Sequence, residues 1–205
     1  MIHFANGTTL EPFDHPHNTT ALNERAVELA MVQQFLIMRH NWEGRLGEVL
    51  EVGNVLSHYE GSIALPSRRV VDRFEVAPGV ENIDVFDIEG TYDTIISIST
   101  IEHVGVDDGT DSPMAAFHAI THLRQRLAPG GRFFCTFPTG WNQRLDIFLG
   151  AGTISRMALS DQFFVRDGVN WVERVRNPHD GFQPYPYGVT QPWAEAVWVG
   201  EFAPL

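Results

Sequence analysis

The chain has 205 residues, enough to bury one substantial hydrophobic core and short for two, so one unit built around one site is expected. Its 26 acidic against 14 basic residues give a formal charge of -12, which repels nucleic-acid phosphates and anionic lipid surfaces, and no Lys/Arg cluster offsets it. The apolar stretches are strand-sized and the opening, MIHFANGTTLEPFDHPHN, has neither a basic start nor an apolar run, so a cytoplasmic chain without signal peptide or membrane span is expected.

Residues 1–20, rich in Pro, His, Asn and Thr, show no periodicity and read as a loop. A helix follows over residues 22–40, where Ala26, Leu29, Ala30, Gln33, Phe35 and Ile37 fall near helical spacing. Thr20 or Asn23 supplies its N-cap, Glu24 sits at the positive end of the dipole, and the glycines of NWEGRLG stop it. The runs GEVLEVG, RRVVDRF, NIDVFDI, YDTIISIS and GRFFCTF then read as five strands of a parallel sheet. Parallel strands need crossovers, and SPMAAFHAITHLRQRL is the clearest helix, with Ala116, Ile120, Leu123 and Leu127 on one face and Pro129-Gly130-Gly131 at its end. The first crossover, SHYEGSIALPSR, leaves room for about two helical turns before Pro66. Beyond Pro138, WNQRLDIFLGAG reads as a helix, QFFVRDGVNWVERV as a hairpin turning at Asp167-Gly168, and AVWVGEF as an antiparallel edge strand. The lone Cys135, inside RFFCTF, reads as a small buried hydrophobe, which sets redox chemistry aside. No repeat or linker divides the chain, so residues 1–205 are expected to form one domain, with 1–44 as an N-terminal loop and helix cap.

In an open α/β sheet the ligand lies outside the carboxyl ends of the strands, where the strand order reverses. Here those ends are polar: Glu51-Val52-Gly53-Asn54 after the first run, Asp72 after the second, Asp87 in the third, and Ser99-Thr100-Ile101-Glu102-His103 after the fourth. Acids are expensive to bury unless paired, so several of them at strand ends point to a solvated crevice for a polar, partly cationic ligand.

VLEVG, VVDRF, YDTIISISTIEHVG and LAPGGRFFCTFP, in this order and spacing, resemble the successive motifs of class I S-adenosylmethionine-dependent methyltransferases, from about Gly47 to Pro138 and on toward Phe202. The resemblance implies an α/β, Rossmann-like, doubly wound and mostly parallel seven-stranded sheet whose last strand is antiparallel, with S-adenosylmethionine as cofactor. By position it implies that Glu51 orients the first loop or meets the cofactor's amino end, and that Gly53 and Asn54 pass under the methionine part. It further implies that Asp72 accepts from the ribose hydroxyls, Asp87 and the Ile88 amide hold adenine, and Ser99 lies near the methionine end. His103 falls near the transferred methyl, where an imidazole can serve as base for an oxygen or nitrogen acceptor, although a pocket-shaping role reads equally from its position.

The resemblance breaks at the glycine-rich loop, where Gly-x-Gly-x-Gly is replaced by Gly53-Asn54-Val55-Leu56-Ser57. A non-catalytic protein of the same fold, acting through cofactor or partner binding, is therefore the alternative. A dinucleotide enzyme is disfavoured, because its loop needs glycines for the pyrophosphate to approach a helix N-terminus.

The remaining polar groups carry bland readings beside functional ones. Asp107, Asp108 and Asp111 could take a hard divalent ion or form a solvated turn, and His118 and His122 are four apart with no third ligand; no metal is expected. His15, His17, Asn18, Asn23, Arg25 and Glu28 precede the sheet and suit either a lid or plain packing. The aromatic-rich tail, with Trp171, Tyr185, Tyr187, Trp193 and Trp198, suits either an acceptor pocket or packing, while Trp141, Asn142 and Arg144, just after the fifth run, are the acceptor-side candidates by position. A small-molecule acceptor is expected by elimination, with no nucleic-acid or membrane partner, and the sequence leaves the oligomeric state open.

Overall fold

A computed structural model describes residues 1–20, 22–41, 44, 46–107, 109, 112, 114–175, 185–188 and 192–205. In chain order the elements are β1 (Ile2–His3), β2 (Thr9–Leu10), α1 (Glu24–Asn41), β3 (Val49–Val52), β4 (Arg69–Val71), β5 (Val80–Glu81) and β6 (Tyr92–Ile98). They continue as α2 (Ala115–Gln125), β7 (Leu127–Pro138), α3 (Gln143–Gly150), α4 (Thr153–Met157), β8 (Ser160–Asp167), β9 (Asn170–Glu173) and β10 (Ala196–Phe202). All the strands join one sheet in the order β2-β1-β9-β8-β10-β7-β6-β3-β4-β5. From β5 to β7 the pairing is parallel, and β10 runs antiparallel to both of its neighbours.

The two-residue alternation of the strands builds two cores. Leu50, Val52, Ile95, Phe133, Cys135, Phe137 and Trp198 face α2, whose Ala116, Ala119, Ile120 and Leu123 meet them. Val49, Ile96, Ile98, Phe134, Val197 and Val199 face α1 and its Val27, Leu29, Val32 and Phe35. Each fully buried large apolar side chain contributes about 1.5–3 kcal/mol. Packing of this kind holds α1 in place, since its apolar stripe is interrupted by the buried Glu28 and Arg39. Asn23 is the cap of that helix, accepting from the Arg25 amide at 2.9 Å, while Thr20 turns the chain just before it through the Leu22 amide at 3.2 Å.

Several expectations are corrected here. Among the described residues the sheet has ten strands: the seven expected run from β5 to β8, and β9, β1 and β2 extend it, so Ile2–His3 and Thr9–Leu10 belong to the sheet where a loop was expected. AVWVGEF is interior, between β7 and β8, and almost wholly buried, because both of its faces are covered. NIDVFDI is no strand; Asp84 caps a short 3-10 turn, Val85–Asp87, and the third strand is the earlier pair Val80–Glu81. The first crossover also shrinks to a 3-10 turn, Leu56–Tyr59. On α1 it is Leu36 that is buried and Ile37 that is exposed, and Leu127 opens β7 instead of closing α2. The hairpin at Asp167-Gly168 is as expected, with Asp167 paired to Asn170.

Candidate functional site

A cavity of about 700 Å³ opens at the carboxyl ends of β3, β4 and β6, where the strand order reverses. Its size falls within the range of roughly 300–1,000 Å³ usual for small-molecule sites. Of the residues expected there, Gly53, Asn54, Asp72, Ser99 and His103 line it. Glu51 sits beneath, and Asp87 and Ile88 lie elsewhere: Asp87 is exposed, the Ile88 side chain is in the α2-side core, and its amide closes the 3-10 turn onto Val85 O at 3.4 Å. Asp84 and Val85 occupy the wall in their stead. The signal for this was the Asp-x-Phe cap, in which Asp84 Oδ1 accepts from the Phe86 amide at 3.0 Å, together with the three-residue spacing of buried Val85 and Ile88.

The floor is a set of interlocked polar contacts. Glu51, 1% exposed, accepts from the Leu56 amide at 2.6 Å and pairs with Arg68. Burial pushes its carboxyl up and Arg68 pulls it back down. Glu51 thus ties down the loop after β3. Gly53 has φ +89, and a Cβ there would stand 2.0 Å from Thr100 Oγ1, so the close approach of this loop to the end of β6 requires glycine. The chain then needs no further glycine, since Val55 is already in right-handed helical conformation and leads directly into the 3-10 turn. Asp72 Oδ1 accepts from the Phe74 and Glu75 amides at 2.8 and 2.7 Å, and Oδ2 from the Asn54 amide at 3.2 Å. Three of the roughly four acceptor positions of a carboxylate are filled, leaving one open. Asn54 Nδ2 donates to Glu75 at 2.7 Å, while its buried Oδ1 has no hydrogen-bond partner.

The N-terminal segment closes one side. His17, Asn18, Asn23, Glu24 and Arg25 line the cavity. Tyr59 donates to Asn18 Oδ1 at 2.7 Å, and the His17 ring stacks on His58 at 4.7 Å, so the segment before α1 is tied to the turn after β3. Behind it lie three buried acids. Glu28 accepts from Ser99 Oγ at 2.6 Å and Thr136 Oγ1 at 2.7 Å and pairs with Arg25 at 3.3 Å. Glu24 accepts from the Ala194 amide at 3.0 Å, and burial followed by the charge of Glu28 raises its pKa. Glu102, 1% exposed and without a hydrogen-bond partner on either oxygen, is pushed well above the usual carboxylate range by burial and then by Glu28. Ser99 itself has φ +41, which bends the chain sharply as it leaves β6. The sequence reading missed Tyr59 and His58 and gave Glu24 only a place at the helix dipole, because their roles depend on contacts between distant segments.

At the rim, His103 Nδ1 meets Asp107 Oδ2, and Nε2 stands 3.7 Å from Glu102 Oε1. The Trp141 ring packs 5.2 Å from the imidazole, and its Nε1 donates to Asp107 Oδ2 at 3.3 Å. Asn142 caps α3 through the Arg144 and Leu145 amides and donates to Glu102 O at 3.0 Å, which makes it a brace; Arg144 is exposed and points no charge into the cavity wall. Trp171 and Trp198 are core residues. His122 Nε2 meets Ile88 O at 3.1 Å. Asp108 and Asp111 lie outside the described residues, among which no group of three or more His, Cys, Asp or Glu is placed to hold a metal ion. Among the same residues no helix is long and apolar enough to cross a membrane.

Strand order and cavity together define a Rossmann-like α/β fold with a cavity at the switch point. No family model matches the chain, and no curated protein matches it. Solved structures do. The CurJ carbon methyltransferase matches over 92% of this chain and 57% of its own, with a TM-score of 0.50 and 14% identity. The N-methyltransferase NodS of Bradyrhizobium japonicum WM9, in complex with S-adenosyl-l-homocysteine, matches over 84% and 85% with a TM-score of 0.46 and 14% identity. The magnesium protoporphyrin IX methyltransferase ChlM of Synechocystis PCC 6803, with bound SAM, matches over 85% and 80% with a TM-score of 0.41 and 13% identity. The chain has the class I S-adenosylmethionine-dependent methyltransferase fold.

Proposed function

We propose that the protein is an S-adenosylmethionine-dependent methyltransferase acting on an oxygen or nitrogen atom of a small molecule, a reaction of the cytoplasm. The observation that carries this reading is the cavity at the β3–β6 switch point, with Gly53 and Asn54 on its floor and Asp72 and Asp84 on its wall.

The residues present suit the cofactor. Asn54 lines a cavity large enough for a nucleoside bearing an amino-acid arm, and its Oδ1, buried and without a hydrogen-bond partner, is an acceptor left over in that wall. Asp72, with one acceptor position left, suits the ribose diol. Asp84, in place of Asp87, suits the adenine amino group. Arg25 and Glu24, also on the lining, suit the zwitterionic tail. When bound, S-adenosylmethionine supplies an electrophilic methyl group on a sulfonium. The segment carrying His17 and Asn18 excludes water from one side, and His103 at the rim takes the proton that the acceptor atom gives up. The net charge of -12 favours a small acceptor over a nucleic acid. All 205 residues then work as one domain with 1–44 as its N-terminal loop and helix cap, of which His17, Asn18, Asn23, Glu24 and Arg25 line the cavity.

Calorimetric titration with S-adenosylmethionine and S-adenosylhomocysteine, with NADH as control, tests the reading. Saturable binding of donor and product with none of NADH supports it. Binding of neither would transfer the case to a non-catalytic protein of the same fold, which the loop Gly53-Asn54-Val55 already makes conceivable.

A further inference from the structure

His103 and Asp107 are four residues apart on either side of the glycine turn that follows β6, and the function above gives Asp107 no part. Its Oδ2 is the meeting point of His103 Nδ1 and the Trp141 indole N–H, which donates to it at 3.3 Å. An ionised carboxylate has acceptors and no proton to give. The hydrogen in the contact with His103 must therefore sit on Nδ1, and a neutral imidazole then keeps its lone pair on Nε2. Position is held from a second side, because Trp141 packs against the imidazole at 5.2 Å and against Tyr187 at 5.0 Å. The loop bearing Trp141 is itself pinned by Asn142 to Glu102 O and by the Gly140 amide to Asp146 at 3.0 Å.

We propose that Asp107 is the positioning residue of the acceptor side: it locks His103 in the Nδ1–H tautomer, with the indole of Trp141 fixing the carboxylate, so that Nε2 is held ready as the base. The proposal rests on the methyltransferase reading for its chemistry. As the acceptor's lone pair bonds to the methyl carbon, the acceptor's proton passes to Nε2, and the electron pair of the breaking sulfur–carbon bond stays on sulfur. Asp107 stabilises the imidazolium that results. The other groups around the ring fit this assignment. Glu102, whose carboxyl lies near Nε2, is buried, which pushes its pKa well above the usual carboxylate range, and at 3.7 Å it is too far to hydrogen-bond that nitrogen. Glu28 lies behind Glu102 and makes its own bonds to Ser99 and Thr136, and Tyr187 reaches the imidazole only through Trp141.

The test is a two-bond proton–nitrogen correlation spectrum of the full chain with labelled histidine, recorded above pH 8, with the His103 signals assigned by their loss in His103→Ala. The wild-type ring should show one tautomer, with hydrogen on Nδ1. In Asp107→Ala at least half of it should move to the Nε2–H form, and Asp107→Glu should restore the original pattern. With an acceptor substrate, Asp107→Ala should lose about tenfold to a hundredfold in kcat with little change in KM. A wild-type ring in mixed tautomers, or a spectrum unaltered by Asp107→Ala, overturns the proposal. The spectrum needs no donor, so it decides the role of Asp107 even if calorimetry finds that S-adenosylmethionine does not bind; that second result would remove the methyltransferase reading alone.

Discussion

Asp146 offers a test in which one atom's chemistry sets the stability of a whole loop. The residue is 3% exposed, and its Oδ2 accepts from the Gly140 amide at 3.0 Å. Burial raises its pKa from 3.8 to about 6, against the smaller opposing pull of that hydrogen bond. Between those two values the folded chain keeps a proton that the unfolded chain has released. The contribution of this group is therefore full below about pH 3.8 and is lost as the pH rises to about 6. At about 1.36 kcal/mol per pH unit, a rise of about 2.2 units corresponds to about 3 kcal/mol. Asp146→Asn keeps an acceptor for Gly140 and cannot ionise. Urea unfolding followed by tryptophan fluorescence should place variant and wild type within about 1 kcal/mol at pH 4, and the variant about 3 kcal/mol ahead at pH 8. A difference that stays constant from pH 4 to pH 8 would refute the reasoning.

Two further substitutions probe the floor of the cavity. Arg68→Leu leaves the carboxylate of Glu51 buried without its cation and should cost about 3–5 kcal/mol in the denaturant midpoint, with part recovered when Glu51→Gln is added to the same chain; a cost below about 1 kcal/mol would show that the pair does not hold the loop. Gly53→Ala must accept φ +89, worth about 1–2 kcal/mol, and a Cβ 2.0 Å from Thr100 Oγ1 besides. It should lower the melting temperature and weaken donor binding together, and an unchanged melting temperature would mean that the loop can swing away from β6.

The strands that build the cavity were legible because they are compact, apolar and buried on both faces: VLEV, YDTIISI and FFCTF are each read at the right place. The same criterion, applied with more weight, marks AVWVGEF as interior, since an edge strand would alternate. NIDVFDI misled because valine, phenylalanine and isoleucine favour strands, while the decisive feature was local: Asp84 capping its own turn. That error put the expected wall residue at Asp87, which is exposed, where Asp84 lines the cavity. The missing glycines of the loop looked like a loss from sequence, yet the turn beginning at Leu56 and the anchoring of Glu51 to Leu56 and Arg68 show how the backbone passes without them. β1 and β2 are two residues each; they pair with each other locally, but what ties them to the sheet is β9, nearly the whole chain away from β1, so no window of sequence contains that cause.

The place of β10 bears on how such a chain reaches its shape. Ile2 pairs beside Trp171, and β10 bonds β7 on one edge and β8 on the other. The strand that leaves the ribosome last of the ten is thus a keystone rather than an appendage. Before it docks, β3, β4, β6 and β7 can pair with one another, whereas β8, β9, β1 and β2 have no bond to that half of the sheet. Joining them requires closing loops of very different lengths at once, the slow kind of search that topology imposes. Until then β7 presents an open edge to any other strand in reach, and the chain's acidic surface is what discourages such encounters between its own copies.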